Sequence, residues 1–257
     1  MILTIDVGNT EIACGLFEGD DRRAAWRVVT GAGRTADEFA LLLDGMLRQR
    51  DLEPGAVDAV SLGSVVPHVT GPLRDACAGL FGVEPLVVDA ATPLPITLDV
   101  DAPSTVGADR ALNTLAVLER FARDTVVVDF GTATTFDCIT RDGVFIGGVI
   151  APGVQTAADA LLRRAARLAR FEGGPPARVI GRTTEACLQS GIFWGAVDSI
   201  DGIVDRIREE WRQPEALVLA TGGLAAAFAP ACRTVQRVEP WLTLEGLVYA
   251  HRHAGPR

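Results

Sequence analysis

Two short segments place an aspartate, a glycine and hydrogen-bonding side chains at the end of an apolar run. The first is Asp6-Val7-Gly8-Asn9-Thr10, and the second covers residues 129–135, which begin Asp129-Phe130-Gly131-Thr132. Glycine lets a ligand approach the backbone, and Asn and Thr side chains hydrogen-bond phosphate oxygens. A carboxylate beside phosphates needs a cation between them, so a nucleotide ligand would imply a divalent ion at Asp6. A plain Gly-Asn hairpin turn and strand-favouring threonines are the simpler alternatives.

A third candidate lies in residues 103–113, which open a helix. Asp109 and Arg110 stand side by side in its first turn. An arginine fork holds a carboxylate, and an aspartate accepts a proton from a hydroxyl, so the pair suits an anionic hydroxy substrate. Complementing the helix dipole is the simpler role for Asp109. Two glycine turns are further candidates. Residues 147–153 could line a substrate site and residues 221–223 could face a nucleotide, or each could simply be a turn between packed elements.

Apolar runs and turn signals predict strands and helices that position these segments. The predicted strands are 2–7, 12–17, 25–29, 57–62, 85–88, 125–129, 136–139, 144–149 and 216–220. The predicted helices are 35–48, 72–80, one opened by residues 103–113 that runs to about 123, 154–171, 184–211 and 242–251. Thr35 followed by Glu38 forms a capping box ahead of an apolar run, which sets the start of the first helix.

The sequence also contains an internal repeat. Asp6 and Asp129 end equivalent apolar runs at an offset of 123 residues, and a hairpin turn follows each strand pair. This repeat predicts an α/β protein with two similar halves, each a β-meander with α/β additions. We expect the halves to span residues 1–120 and 121–257, with the final helix able to pack back on the first half. The two Asp-x-Gly turns are expected to face each other across an interdomain cleft.

Composition excludes several kinds of chemistry. The 257 residues carry a net charge of −9 and contain no lysine, because all 24 basic residues are arginine. A Walker-A lysine, a protein-kinase lysine and a Schiff-base cofactor are therefore excluded. Three histidines make a histidine-built metal centre unfavourable. The acidic balance predicts no nucleic-acid partner, and the arginines of residues 163–170 indicate a solvated helix face.

The cysteines and the N-terminus bear on the compartment. Five cysteines are odd in number, lie far apart and include no C-x-x-C pair, which is typical of reduced thiols. The N-terminus has no basic start or long apolar run, and no segment reaches 18 apolar residues. We therefore expect a soluble, cytoplasmic protein that does not enter a membrane.

Taken in order along nearly the whole chain, these segments resemble the type III pantothenate kinases, within the acetate and sugar kinase, Hsp70 and actin superfamily. The matching motifs are 6–10, 34–38, 107–110, 129–135, 147–153, 181–184, 221–223 and 242–246. The resemblance implies duplicated ribonuclease-H-like (actin-like ATPase) domains with mixed sheets. It also implies transfer of the γ-phosphoryl of ATP to pantothenate, giving 4'-phosphopantothenate in the first step of coenzyme A biosynthesis. Mg²⁺ with ATP, a monovalent cation (K⁺ or NH₄⁺) and a homodimer are further implications.

The resemblance also implies a role for individual residues. It makes Asp109 the general base, Asp129 a ligand of the monovalent cation and Asp6 a partner of Mg²⁺ through phosphates or water. The implied nucleotide contacts are Asp6, Val7, Gly8, Asn9, Thr10, Glu11, Ile12, Ala13 and Thr132. The implied substrate contacts are Val100, Gly107, Ala108, Asp109, Arg110 and Thr184.

The chain departs from the family pattern at four positions. Val100 replaces a frequent aromatic, Ala102 and Thr183 replace frequent asparagines, and Ala169 replaces a frequent proline. These departures concern the substrate pocket more than the phosphate loops. Two alternatives therefore stay open, a regulatory or accessory protein that keeps the kinase fold and a superfamily kinase for another small hydroxy acid. An Hsp70-like chaperone is disfavoured because no peptide-binding part follows the second half.

Overall fold

The computed structural model describes residues 1–31, 33–164, 171 and 173–255, with Arg164 described only in its backbone. The chain forms two compact units. The first contains Met1–Phe121 together with the segment from Leu242, and the second is Ala122–Trp241. Whether residues 1–120 and 121–257 are separate domains, as the sequence predicted, stays a prediction.

The elements alternate between short strands and helices. The strands are β1 (Ile2–Val7), β2 (Glu11–Glu18), β3 (Asp21–Val29), β4 (Ala59–Ser64), β5 (Leu86–Val88), β6 (Thr97–Leu98), β7 (Thr125–Phe130), β8 (Ala133–Ile139), β9 (Val144–Pro152), β10 (Leu217–Thr221) and β11 (Arg237–Val238). The helices are α1 (Ala36–Arg48), α2 (Pro67–Phe81), α3 (Ala108–Arg120), α4 (Val154–Arg164), α5 (Thr184–Trp211), α6 (Ala225–Phe228) and α7 (Leu242–Ala254). None of the helices described is both long and apolar enough to cross a bilayer.

The two units repeat one sheet topology. In the first, the strand order is β3-β2-β1-β4-β5, with an antiparallel meander of β1 to β3 and with β4 and β5 parallel to β1. In the second, β7 to β9 form the meander, and β10 and β11 add in parallel on the other side of β7. β1 and β7 begin 123 residues apart, which is the predicted offset. The predicted duplication of a mixed α/β sheet is therefore confirmed.

Every second residue of the central strand points into the core of its unit, and each unit has such a core. Leu3 and Ile5 of β1 pack with Phe39 of α1 and Leu73 of α2, which cover one face of the first sheet. In the second unit the core is aromatic, and the Phe228 ring stacks on Phe130 and Phe193 at 6.2 and 5.0 Å between centroids. Fully burying one such side chain stabilises a fold by roughly 1.5–3 kcal/mol. Both cores anchor strands whose ends carry the candidate residues.

Local signals predicted several elements correctly. Both hydrogen bonds of the Thr35–Glu38 capping box are present at the start of α1. The helix predicted at 184–211 has those bounds, with Thr183 as its N-cap.

Three predictions about the elements need correction or lie outside the described chain. Helix α2 begins at Pro67 and contains Pro72, whereas the prediction began it at Pro72. The strand predicted at 144–149 runs on to Pro152 as β9 beside β8, so residues 150–152 of the segment 147–153, which was predicted as a turn, are strand instead. Backbone pairing across that hairpin outweighs the low strand propensity of glycine. Of the predicted arginine face, residues 165–170 lie outside the described residues.

Candidate active site

Asp6 ends the central strand of the first unit. It lies in register with Ala13 of β2 on one side and with Gly63 of β4 on the other. The following turn closes where the Gly8 N–H donates to the Glu11 carbonyl oxygen at 3.0 Å. The nucleotide contacts proposed at 6–13 therefore occupy one β-turn and its two flanking strand ends.

A residue that the sequence did not indicate holds this turn in place. Thr30, which follows β3, donates its hydroxyl to the Gly8 carbonyl oxygen at 2.7 Å and its N–H to the Thr10 carbonyl oxygen at 2.9 Å. Asn9 and Thr10 are exposed. The turn is thus held through its carbonyls while these side chains stay accessible. Thr30 lies 22 residues from Gly8, and no motif links the two positions.

Asp109 lies in the first turn of α3, as the sequence predicted. Its Oδ1 accepts a hydrogen bond from the Arg110 N–H at 2.9 Å. Burial raises the pKa of the Asp109 carboxyl above its usual range, and the Arg110 N–H and guanidinium oppose that rise. A desolvated carboxylate with a raised pKa is a stronger proton acceptor than an exposed one. Asp109 is therefore a candidate proton acceptor, and the Arg110 guanidinium beside it favours the charged form of the carboxyl.

The start of α3 lies at the same sheet edge as the Asp6 turn. The Val65 N–H, just beyond β4, donates to the Val7 carbonyl oxygen at 3.1 Å. A Cβ built on Gly107 would lie 3.4 Å from Val65 Cγ1 and would overlap the Asp109 carboxylate. Val65 therefore contacts both the end of β1 and the residues that precede Asp109. The structure brings the 6–13 and 107–110 motifs together at the carboxyl ends of β1 and β4.

Asp129 occupies the equivalent position in the second unit. It lies in register with Thr135 of β8 and Thr221 of β10. Gly222 follows β10 with φ +91°, and a Cβ there would overlap Asp129 Oδ1 and lie 2.7 Å from the Phe130 nitrogen. Only glycine combines that backbone conformation with that close approach. The 221–223 turn is thus packed directly against the carboxylate proposed to hold a cation.

Thr132 follows in the loop after β7, beside the start of α4. The Thr156 hydroxyl donates to the Thr132 carbonyl oxygen at 2.7 Å. Gly153 packs on the same loop, because a Cβ there would lie 2.5 Å from the Gly131 carbonyl oxygen. The Thr132 side chain is exposed. The first turn of α4 therefore holds the loop through its backbone, and Thr156, 24 residues away, carried no sequence signal.

The remaining predicted contacts are more dispersed. Val100 is half-buried in the segment that follows β6, and Ala108 is buried at the first position of α3. Thr184 is exposed as the first residue of α5, in the second unit. Asp6, Val100 and the 107–110 motif belong to the first unit, whereas Asp129, Thr132 and Thr184 belong to the second.

The chemistry of the remaining side chains is limited. Among the described residues, no group of three or more His, Cys, Asp and Glu side chains forms a metal-binding cluster. Single carboxylates such as Asp6 fit Mg²⁺ that is held mainly by substrate phosphates, the usual arrangement in kinases.

All five cysteines lie in the described part of the chain, and none forms a disulfide. Burial raises the pKa of Cys77 and, mainly by the same cause, that of Cys232 to about 12, so both thiols stay protonated near neutral pH.

Comparison with known proteins identifies the family of this chain. The family model described as "Type III pantothenate kinase" matches residues 2–206. A type III pantothenate kinase from Roseiflexus sp. (strain RS-1) is 44% identical over 247 residues, covering 96% of each chain.

Two solved structures share the fold. A Campylobacter jejuni protein described as a Baf family transcriptional activator has a TM-score of 0.61 and 18% identity, covering 98% of each chain. The ROK hexokinase from Thermus thermophilus has a TM-score of 0.51 and 12% identity, covering 97% of each chain. These likenesses confirm the predicted α/β fold class. With a family model that matches most of its length and close relatives along nearly all of it, the chain belongs to the type III pantothenate kinase family.

Proposed function

We propose that this enzyme transfers the γ-phosphoryl group of ATP to the primary hydroxyl of pantothenate, in the first step of coenzyme A biosynthesis. ADP, 4'-phosphopantothenate and a proton are the products. Membership of the type III pantothenate kinase family carries the assignment. The desolvated Asp109 carboxylate, at the same sheet edge as the Asp6 turn, is the structural feature that supports it. Phosphoryl transfer depends on positioning and charge neutralisation, which this edge is built to supply.

Asp109 is the proposed general base. It accepts the proton of the attacking hydroxyl, and Arg110 binds the substrate carboxylate through its guanidinium. Gly107 and Ala108 supply backbone surface for the substrate. Val100 and Thr184 are the further substrate contacts in this proposal. Their exposed or half-buried positions leave them accessible to a small molecule.

The turn at residues 6–13 is the proposed phosphate loop. Gly8 admits the phosphates, and Asn9 and Thr10 present accessible hydrogen-bonding side chains to them. Thr132 is a further nucleotide contact in this proposal. Mg²⁺, held by Asp6 through phosphates or water, neutralises the charge that develops on the transferring group. In a chain without lysine, backbone N–H groups and Arg110 supply the remaining positive charge.

Asp129 is the proposed ligand of a monovalent cation, K⁺ or NH₄⁺. Its carboxylate is half-buried at a strand end and close to the backbone of the Gly222 turn. We expect ADP release with ATP, Mg²⁺ and pantothenate to rise at least several-fold when K⁺ or NH₄⁺ replaces Na⁺. The comparison is a coupled assay at constant ionic strength, repeated with Asp129→Asn. Equal rates in all three salts would remove the cation from the proposal without affecting the kinase assignment.

The same assay tests the substrate. A panel of small hydroxy acids, each supplied in place of pantothenate, should give little ADP above background. A faster reaction with another member of the panel would identify a kinase for that compound. Nucleotide binding without phosphorylation of any acceptor, in K⁺ or Na⁺, would instead indicate a regulatory protein.

A homodimer is the proposed assembly. Near Thr184, Val179 and Ile180 are 66% and 82% exposed, and with Arg178 and Arg182 they line a cavity of about 530 Å³. Contiguous exposed apolar surface is a feature of interfaces, and this pair is therefore the surface that we take as the dimer contact. Sedimentation velocity should show a dimer for the parent and a monomer for Ile180→Glu. Leu41→Glu, at a 74% exposed position of α1, is the matched control and should stay dimeric. A monomeric parent would overturn the homodimer, and a dimeric Ile180→Glu would exclude this surface.

The cytoplasm is the proposed compartment. Five cysteines without a disulfide suit a reducing environment, and ATP is abundant there. Fractionation of the native host should recover the kinase activity in the cytoplasmic fraction, and recovery in another fraction would contradict this assignment.

A further inference from the structure

The C-terminal helix α7 packs against α3, the helix whose first turn carries Asp109. At their crossing the two backbones approach through Gly246. A Cβ built there would overlap the Leu112 carbonyl oxygen and would lie 2.8 Å from the Leu112 carbonyl carbon. The atoms in contact are the backbones of Gly246 and Leu112, so no flexible side chain could move aside to admit a Cβ. Gly246 is therefore the position at which α7 sets its distance from α3.

One turn further along α3 than Asp109, a buried hydrogen bond joins the same two helices. The Thr243 hydroxyl donates to Asn113 Oδ1 at 2.9 Å, and the two residues are only 7% and 1% exposed. The Asn113 Nδ2 has no hydrogen-bond partner among the described residues. Loss of the Thr243 hydroxyl would thus leave the whole Asn113 amide buried and unsatisfied. A polar pair of this kind specifies the relative register of two helices.

Charged pairs join the C-terminal end of α3 to the first and the last turn of α7. Arg120 pairs with Glu245, and His253 Nε2 lies 2.8 Å from the Glu119 carboxylate. These contacts are partly exposed, so they contribute less to stability than the buried pair. They nevertheless extend the contact between α3 and α7 to the C-terminal end of α3.

Both helices rest on a sheet face of small residues. A Cβ on Gly63 of β4 would lie 2.7 Å from Leu112 Cδ1 and 3.6 Å from Leu247 Cδ2. On β2, a Cβ on Gly15 would lie 3.0 Å from Leu244 Cδ1. Since interiors are close-packed, α3 has no free space in which to shift on this floor once α7 is seated. Gly63 is also the residue in register with Asp6, so the floor connects the helix to the phosphate-loop edge.

We propose that Thr243 and Gly246 of α7 are positioning residues for Asp109, acting through the Asn113 hydrogen bond and the Leu112 backbone. They hold the first turn of α3 at the distance from the β1 and β4 ends that the reaction needs. This inference rests on the proposed role of Asp109 as the general base. Neither residue is expected to touch substrate, since Thr243 is buried beneath α3 and Gly246 has no side chain.

The test compares Thr243→Val with Thr243→Ser in the full-length enzyme. Displacement of a reacting group by about 1 Å costs as much as 10²-fold in rate. We expect Thr243→Val to lower kcat roughly 10-fold, with the KM for ATP changed less than twofold, because the phosphate loop is untouched. Thr243→Ser keeps the hydroxyl and should recover most of the lost kcat. Gly246→Ala should lower kcat at least as much.

Gly45→Ala is the matched control for Gly246→Ala. Gly45 lies in α1 of the same unit, is exposed, and a Cβ there would meet no atom within 4 Å. Its alanine variant should keep the parent kcat. If Gly246→Ala fails to fold, the two Thr243 variants decide the matter.

Each outcome has one reading. A folded Thr243→Val enzyme with parent kcat would overturn the inference. So would equal losses of kcat in Thr243→Val and Thr243→Ser, because the hydroxyl would then be irrelevant. Failure of the proposed general-base role of Asp109 would give a different result, because the Asp109→Asn enzyme would then stay active. An inactive Asp109→Asn together with a fully active Thr243→Val would refute only the positioning role.

Discussion

Replacing Asp109 by asparagine is expected to lower kcat by about 10²–10⁴-fold, the usual contribution of a general base. Asparagine keeps the size of the side chain and can accept the 2.9 Å hydrogen bond from the Arg110 N–H. It cannot take the proton of the substrate hydroxyl. Steady-state ADP release with saturating ATP and pantothenate measures the loss. Asp37→Asn is the matched control, since Asp37 lies exposed in the first turn of α1 and should be dispensable.

The same substitution should leave the protein at least as stable as the parent at neutral pH. Burial raises the pKa of Asp109 in the folded state, so the folded state favours the protonated carboxyl. The stability that this preference confers is present below the unfolded-state pKa, about 3.9, and is lost as the pH rises through the raised pKa. At pH 7 the charged carboxylate therefore costs stability, and asparagine removes that cost. Thermal melts of both proteins at pH 7 measure the difference.

The pH dependence of activity follows from the same group. Activity needs the deprotonated carboxylate, so kcat/KM for pantothenate should fall as the pH drops through the raised pKa. The acid limb is thus expected above the ordinary aspartate range. An Asp109→Asn enzyme that turns over at the parent rate, or an acid limb that survives in it unchanged, would remove Asp109 from the mechanism.

Gly222→Ala is expected to destabilise the protein by about 2–5 kcal/mol. Overpacking costs typically 1–3 kcal/mol, and an L-residue in a left-handed backbone adds roughly 1–2 kcal/mol. Both apply here, because Gly222 has φ +91° and a Cβ would overlap the Asp129 carboxylate. Urea unfolding measures the change in the free energy of unfolding. The displaced carboxylate should also abolish any stimulation of activity by K⁺.

Gly191→Ala is the control for this substitution. Gly191 lies in helix α5 of the same unit, is exposed, and a Cβ there would meet no atom within 4 Å. Alanine in a helix interior is favoured over glycine by about 0.8–1.0 kcal/mol, so this variant should be more stable than the parent. A Gly222→Ala protein as stable as the parent would show that the 221–223 turn moves freely away from Asp129.

Some features of the site were predictable because their causes are local or repeat along the chain. The Thr35–Glu38 capping box satisfies backbone groups within four residues of one another, and it starts α1 where predicted. The apolar runs that end at Asp6 and Asp129 became equivalent central strands, because a continuous apolar run is stable only when both faces are covered. The roles assigned to those carboxylates stay predictions.

Other predictions failed where local signals compete with packing. The predicted helix began at Pro72, and proline is favourable at the first position of a helix. Pro67 takes that position instead, and burial of Val69 and Leu73 against the first sheet carries the helix through Pro72. The segment 147–153 was predicted as a turn after a strand that ended at residue 149, but β9 runs on to Pro152 because its backbone pairs with the edge of β8. Satisfying a row of backbone groups outweighs the preference of single residues.

By itself, the amino-acid sequence determined which apolar runs end in a carboxylate, that the first helix is capped and how the chain repeats, because those properties depend on neighbouring residues. Only the tertiary structure decided that Thr30 holds the Gly8 turn, that Thr156 holds the loop at Thr132 and that Thr243 reaches Asn113 across 130 residues. These hydroxyls form their hydrogen bonds only after the strands and helices have packed. Serine and threonine are too common for their positions in the sequence to predict such bonds.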